Sequence, residues 1–208
     1  MTLNTTRQRA TIIHGYAATP EDHWFGWLAA QLDARGIPTT VPALPDSEAP
    51  DPDRWLAAVA TSVGTPDEGS TLVAHSLGCI TALRHLCSLA GPWRLGALVL
   101  VSGFVDPLPT LPTLDSHIGK PLDLAGIRNH VDKLTLIRSD ADPYVPPSHT
   151  DRLADLLGAS TQVIPGAGHF LASDGVTSLP AALAAIASSR RTGGEADGEA
   201  GGELTRTR

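Results

Sequence analysis

Apolar positions in this chain follow two alternating patterns from Ala10 onward. Short unbroken apolar runs, as in strands covered on both faces, are separated by longer segments whose apolar residues recur every three to four positions. ATIIH (10–14), IPTTV (37–41), STLVAH (70–75), LGALVLVSG (95–103), KLTLIRS (133–139) and TQVI (161–164) read as six strands. Between the first two, Trp24, Trp27, Leu28 and Leu32 make a helical stripe, with Thr19 as N-cap, Pro20 in the first turn and Asp22 as capping partner. A second helix runs from about Pro52 to Val63 behind Asp51, and others occupy 77–90, 147–157 and about 179–188.

Strands alternating with helices at this spacing predict an α/β protein, a three-layer α/β/α sandwich around a mainly parallel sheet. The 208 residues suffice for one sizeable core, so 1–189 is expected to be a single domain. The tail, 190–208, carries glycine and charge with almost nothing to bury, and is expected to be disordered. The Pro- and Leu-rich segment 104–130 lacks periodicity and reads as a loop with one short helix. Its Phe104, Leu108, Leu111, Leu114 and Ile118 suit a small cover, and it is too short for a large lid.

In parallel sheets ligands collect beyond the carboxyl ends of the strands. His14-Gly15, His75-Ser76, Ser102-Gly103, the segment Asp140 to Asp142 and His169 all fall just after a predicted strand. Composition narrows what such a site can meet. The formal charge is −7, and the tail holds four basic and four acidic side chains, so the acidic excess sits on the folded part and a nucleic-acid partner is not expected. MTLNTTRQRA has no apolar stretch after its arginines, and nowhere do about 18 apolar residues run together. Neither a signal peptide nor a membrane span is expected, which leaves the cytoplasm as the default.

Cys79 and Cys87 lie eight residues apart on one predicted helix, about 12 Å at helical rise and beyond disulfide reach. With no CxxC pair and no Cys/His cluster at zinc spacing, no metal or cofactor is expected. His14 and His75 end neighbouring predicted strands but lack supporting ligand spacing, so His14 reads as a turn-shaping residue and His75 as packing beside the turn.

Ala74-His75-Ser76-Leu77-Gly78 places a serine between strand and helix with small residues two before and two after, the layout of a nucleophile elbow with alanine in the first glycine position. A serine needs a base, and the base needs an orienting acid. His169, in GAGHF after the last strand, fits the base. Asp140 and Asp142 both follow the fifth strand. Asp142 is preferred because Pro143 restricts its backbone, with Asp140 the alternative.

HGYAATPEDHWFGWL, AHSLGC, the DPYVP run and GAGHF together resemble the small α/β serine hydrolases related to the retinoblastoma-binding serine hydrolase and to bacterial YdeN-type proteins. The resemblance spans Ile12 to about Ile186. It implies a minimal α/β-hydrolase fold, a triad of Ser76, Asp142 and His169, and hydrolysis of a small-molecule acyl ester, with amides or thioesters as further options. Oxyanion donors are expected in the backbone N–H groups of Leu77 and Tyr16. His14, Trp24, His75, Phe104 and Phe170 are the expected pocket residues. An acyltransferase with the same triad, or a binding protein on a hydrolase fold, are the alternatives.

Overall fold

The computed structural model describes residues 7–187; the tail expected to be disordered and Ser188 of the last predicted helix lie outside them. Six strands form one sheet: β1 (Arg9–Ile13), β2 (Thr39–Thr40), β3 (Ser70–His75), β4 (Leu95–Val101), β5 (Val131–Ser139) and β6 (Ser160–Ile164). Their order is β2-β1-β3-β4-β5-β6, and every pairing is parallel. β2 is shorter than IPTTV suggests because Pro38 and Pro42 bracket it, and proline has no N–H to give a ladder.

Side chains alternate across this sheet, as a period of two requires. Ile12, Val73, Val99, Val101 and Ile137 face one layer, made by α1 (Phe25–Asp33) and α7 (Pro180–Ala187). Ile13, Leu72, Leu98, Leu100 and Leu136 face the other, made by α2 (Pro52–Val63), α3 (Leu77–Ser88) and α6 (Pro147–Leu157). The three-layer sandwich is therefore observed. Each fully buried Leu or Ile contributes about 1.5–3 kcal/mol from leaving water, which makes this double-sided core the frame for everything at its upper edge.

Two predicted elements differ in the structure. Thr19 does meet Asp22, its N–H and hydroxyl both donating to that carboxylate at 2.7 and 2.9 Å, but the arrangement closes a turn instead of starting a helix. His23 takes a left-handed conformation at φ 56°, which interrupts any helix there, so α1 starts at Phe25 and buries Phe25, Leu28 and Leu32. Segment 104–130 is more ordered than a loop with one short helix. It holds a 3₁₀ turn at Pro112–Leu114, α4 (Asp115–Ile118) and α5 (Ile127–His130). Phe104, Leu108, Leu114, Ile118, Leu124 and Ile127 are buried in the core shared with α2 and α3.

His117 fastens that segment down. Its ring meets Trp55 edge-on at 5.1 Å, and its Nε2 shares a 3.2 Å hydrogen bond with Thr81 Oγ1. Burial, with a smaller push from Arg84, lowers its pKa from 6.5 to about 4 against the opposing pull of the Pro50 carbonyl and Asp51. The unfolded chain thus binds a proton at this residue between about pH 6.5 and 4 that the folded chain refuses, so stability is lost as the pH drops through that window. His117→Gln keeps a partner for Thr81 and removes the titration. Urea unfolding at pH 7 and pH 4.5 should show a smaller acid loss in the variant than in wild type; an identical loss would show that His117 is not responsible.

Candidate active site

The strand order reverses between β1 and β3, and the crevice at such a switch is where open parallel sheets bind ligands. The turn after β1 and the serine after β3 meet there. Ser76 donates its amide to the Val101 carbonyl at 2.9 Å, prolonging the β3–β4 ladder by one residue. It then turns at φ 53°, ψ −124°, a conformation costing a residue with a β-carbon about 1–3 kcal/mol, and α3 begins at once. Gly78 makes the turn possible, because a β-carbon there would stand 2.4 Å from the His14 carbonyl oxygen and 2.9 Å from that of Ile13. Gly15 has the same role opposite: a β-carbon on it would come within 2.9 Å of the Ser76 Cβ. The two glycines let β1, the elbow and the first turn of α3 touch backbone to backbone.

His169 arrives from the loop after β6. Its Nε2 lies 2.9 Å from Ser76 Oγ and its Nδ1 lies 2.8 Å from Asp142 Oδ2, with serine and imidazole both largely shielded from solvent. With Nδ1–H donating to the carboxylate, the Nε2 lone pair is free to accept the serine proton. Asp174 holds the loop in this pose by accepting the backbone N–H groups of His169 and Leu171 at 2.8 and 3.0 Å. Gly168 is obligatory beside it, since a β-carbon would come within 2.4 Å of the Asp174 carboxyl carbon. Phe170, at φ 60°, turns into the core with Val101 and Ile137 and anchors the far side of the loop.

Asp142 accepts four hydrogen bonds. Oδ1 takes the amides of Tyr144 and Val145 at 3.0 and 2.9 Å, and Oδ2 takes His169 and the hydroxyl of Ser102 at 2.8 Å each. Burial alone would raise its pKa, but His169 and these donors outweigh it and hold the carboxyl below its ordinary value, hence ionised. Asp140, the alternative acid, is exposed and accepts the Gly166 amide at 2.8 Å, so it fixes the start of the histidine loop and does not reach the imidazole. Ser102, like Asp174, is a residue that sequence reasoning left unassigned. It repeats the Ser76 arrangement one strand over, donating its amide to Ile137 O at 2.8 Å and turning at φ 46°. Its position just after the fourth strand was visible; its bond to a carboxylate 40 residues away was not.

The expected pocket residues are placed differently from expectation. His14, Trp24, His75, Phe104 and Phe170 are each no more than 2% exposed, so they pack behind the site instead of lining a space open to substrate. His14 bridges loops, its Nδ1–H donating to Gly15 O and its Nε2 accepting from Leu44 N. His75 donates Nε2–H to the His169 carbonyl at 2.9 Å and rests against Trp24 and Phe25. Burial holds its pKa well below 6.5, so it supports the loop as a neutral ring. Tyr16 and Tyr144 are the aromatic rings that reach solvent here, at 36% and 41% exposure, and Tyr144 stands edge-on to His169 at 5.4 Å. Among the described residues no three His, Cys, Asp or Glu side chains gather as a metal site would require, and no helix is long and apolar enough to cross a membrane.

A six-stranded parallel sheet between two helical layers, with a serine elbow and a histidine loop at its carboxyl edge, is the α/β-hydrolase fold. Est1E from Butyrivibrio proteoclasticus shares it at a TM-score of 0.62 and 15% identity, over 89% of this chain and 91% of its own. The chain belongs to the serine hydrolase family, whose model matches residues 10–188. It is 38% identical over 169 residues to YdeN of Bacillus subtilis strain 168, spanning 81% of this chain and 89% of that protein. The crystal structure of the B. subtilis ydeN gene product superposes with a TM-score of 0.84 at 36% identity, over 88% of this chain and 98% of its own. Serine hydrolase RBBP9 of Rattus norvegicus is 26% identical over 149 residues, 71% of this chain and 77% of that protein.

Ser102→Ala removes one of the four bonds to Asp142 and leaves the backbone donors in place. Hydrogen bonds to charged groups contribute about 1.5–3 kcal/mol, so Ser76 should react with a fluorophosphonate about 10- to 100-fold more slowly in the variant. A wild-type rate would show that the Tyr144 and Val145 amides and His169 suffice to hold the carboxylate.

Proposed function

We propose that this protein is a metal-independent carboxylesterase that works through an acyl-enzyme on Ser76. The observation that carries the reading is the unbroken chain from Ser76 Oγ to His169 Nε2 at 2.9 Å and from His169 Nδ1 to Asp142 Oδ2 at 2.8 Å. As Ser76 attacks an acyl carbonyl, His169 takes its proton, and Asp142 holds the ring and stabilises the imidazolium. The proton then passes to the departing alkoxide. A water molecule, deprotonated by the same ring, releases the acid and restores Ser76.

The oxyanion formed in each half needs two donors set in advance. Leu77 N–H, at the amino end of the twelve-residue α3, and Tyr16 N–H, in the turn that abuts Ser76, suit this role. Among the described residues neither donates to any protein acceptor, so both are available to a developing negative charge, which the α3 dipole also favours. The partner is a small-molecule acyl ester. The two cysteines, both free thiols, agree with a reducing compartment such as the cytoplasm.

Hydrolysis of a series of p-nitrophenyl esters, from acetate to decanoate, tests this reading. The wild type should turn over at least one member, and Ser76→Ala should lose that activity by a factor of about 10³ or more. A variant retaining most of the rate would place the reaction elsewhere.

A further inference from the structure

The charges at the sheet's carboxyl edge are one-sided. Five stretches of chain frame the candidate site: 14–24, 41–51, 102–114, 140–146 and 165–179. Together they carry nine Asp and Glu side chains and no Lys or Arg, although the chain has 15 of the latter. Arg54 pairs with Asp46 and Arg152 with Asp106 from outside these stretches, and Asp142 is matched to His169. Among the described residues, Glu21, Asp22, Glu48, Asp51, Asp140 and Asp174 have no Lys or Arg side chain in ion-pair contact.

Two of these carboxylates, Asp140 and Asp174, bond directly to the histidine loop, and the others lie on the turns around the elbow. Glu21 and Asp22 lie on the turn that follows His14, whose carbonyl lies against the elbow, and Asp174 accepts the His169 amide at 2.8 Å. Glu48 follows Ser47, whose carbonyl accepts the amide of Ala17 next to Tyr16 at 2.8 Å. Asp140 is tied to Gly166 at the start of the histidine loop. Charges within a Debye length of about 10 Å act together, and a cleft lined by one sign concentrates ions of the other, raising association rates by about 10- to 1,000-fold.

A second, independent feature points the same way. Both tyrosines of the chain, Tyr16 and Tyr144, are at this mouth with their rings in solvent, and an exposed ring face attracts an ammonium group. We propose that the site selects esters bearing a cationic group, such as a substituted ammonium, and disfavours anionic ones. This inference rests on Ser76 being the nucleophile. The carboxylates do not constitute a site by themselves; they determine which charge reaches the serine.

Three phosphonothioates that differ only in the leaving thiol separate the possibilities. One thiol ends in trimethylammonium, one in the isosteric tert-butyl group and one in a carboxylate. In each case the Ser76 oxygen bonds to phosphorus as the P–S bond breaks, and the serine proton passes through His169 to the thiolate. Each rate of Ser76 modification is divided by that reagent's own rate with hydroxide, which removes differences in leaving-group reactivity. At about 10 mM ionic strength the cationic reagent should then react at least about 10-fold faster than the neutral one, and the anionic one at least about 10-fold slower. In 0.5 M NaCl the spread should shrink to about threefold. The double variant Glu21→Gln/Glu48→Gln should reduce the cationic preference by about two- to threefold with the neutral rate unchanged. Normalised cationic and neutral rates within a factor of two at low salt would overturn the charge selection and leave the nucleophile intact. Failure of all three reagents to modify Ser76 would overturn the nucleophile assignment and this inference with it.

Discussion

The structure turns on a serine held at positive φ between the end of β3 and the start of α3. That conformation is unfavourable for any residue with a β-carbon and persists only where the surroundings leave no alternative. Here the surroundings are specific. The Ser76 amide is committed to Val101, Gly78 brings α3 against the carbonyls of β1, and Gly15 leaves room for the serine β-carbon. Below them β3 and β4 are buried on both faces, so relaxing the turn would mean disturbing two strands of the core.

Given that fixed hydroxyl, the other parts are means of bringing two distant residues to it. β6 is three strands away from β3, and its following loop must cross back over the sheet edge. Asp140, Asp174 and His75 hold that loop from three sides, by bonds to Gly166 N, His169 N and His169 O. Ser102 belongs to the same scheme, fixing Asp142 from the strand between serine and acid. Several polar residues near the elbow therefore serve the placement of one imidazole.

Much of this was legible in the chain. The apolar runs gave the six strands and the sandwich, because a sheet covered on both faces leaves a strong mark. The elbow and the histidine loop were readable because each carries a glycine, Gly78 or Gly168, at a position where a side chain has no room. What failed depended on contacts between remote segments. Thr19 and Asp22 do form the local bonds their spacing suggests, but whether a helix follows is decided by His23. Trp24, Phe104 and Phe170 look like pocket walls beside polar turns, yet the two hydrophobic clusters draw them inward. Ser102 carries no motif, and its partner is known only once β4 and β5 are paired. The charge pattern is a mixed case: each carboxylate is plain in the sequence, but their common edge exists only in the fold.

The central claim is that His169 activates Ser76 across the gap the fold closes. Peptide mapping by mass spectrometry after fluorophosphonate treatment, with wild type and His169→Ala side by side, tests it most directly. The account requires a single adduct on Ser76 in the wild type, formed at least about 100-fold more slowly when the imidazole is gone. An adduct on another residue, or undiminished labelling of Ser76 in the variant, would contradict it.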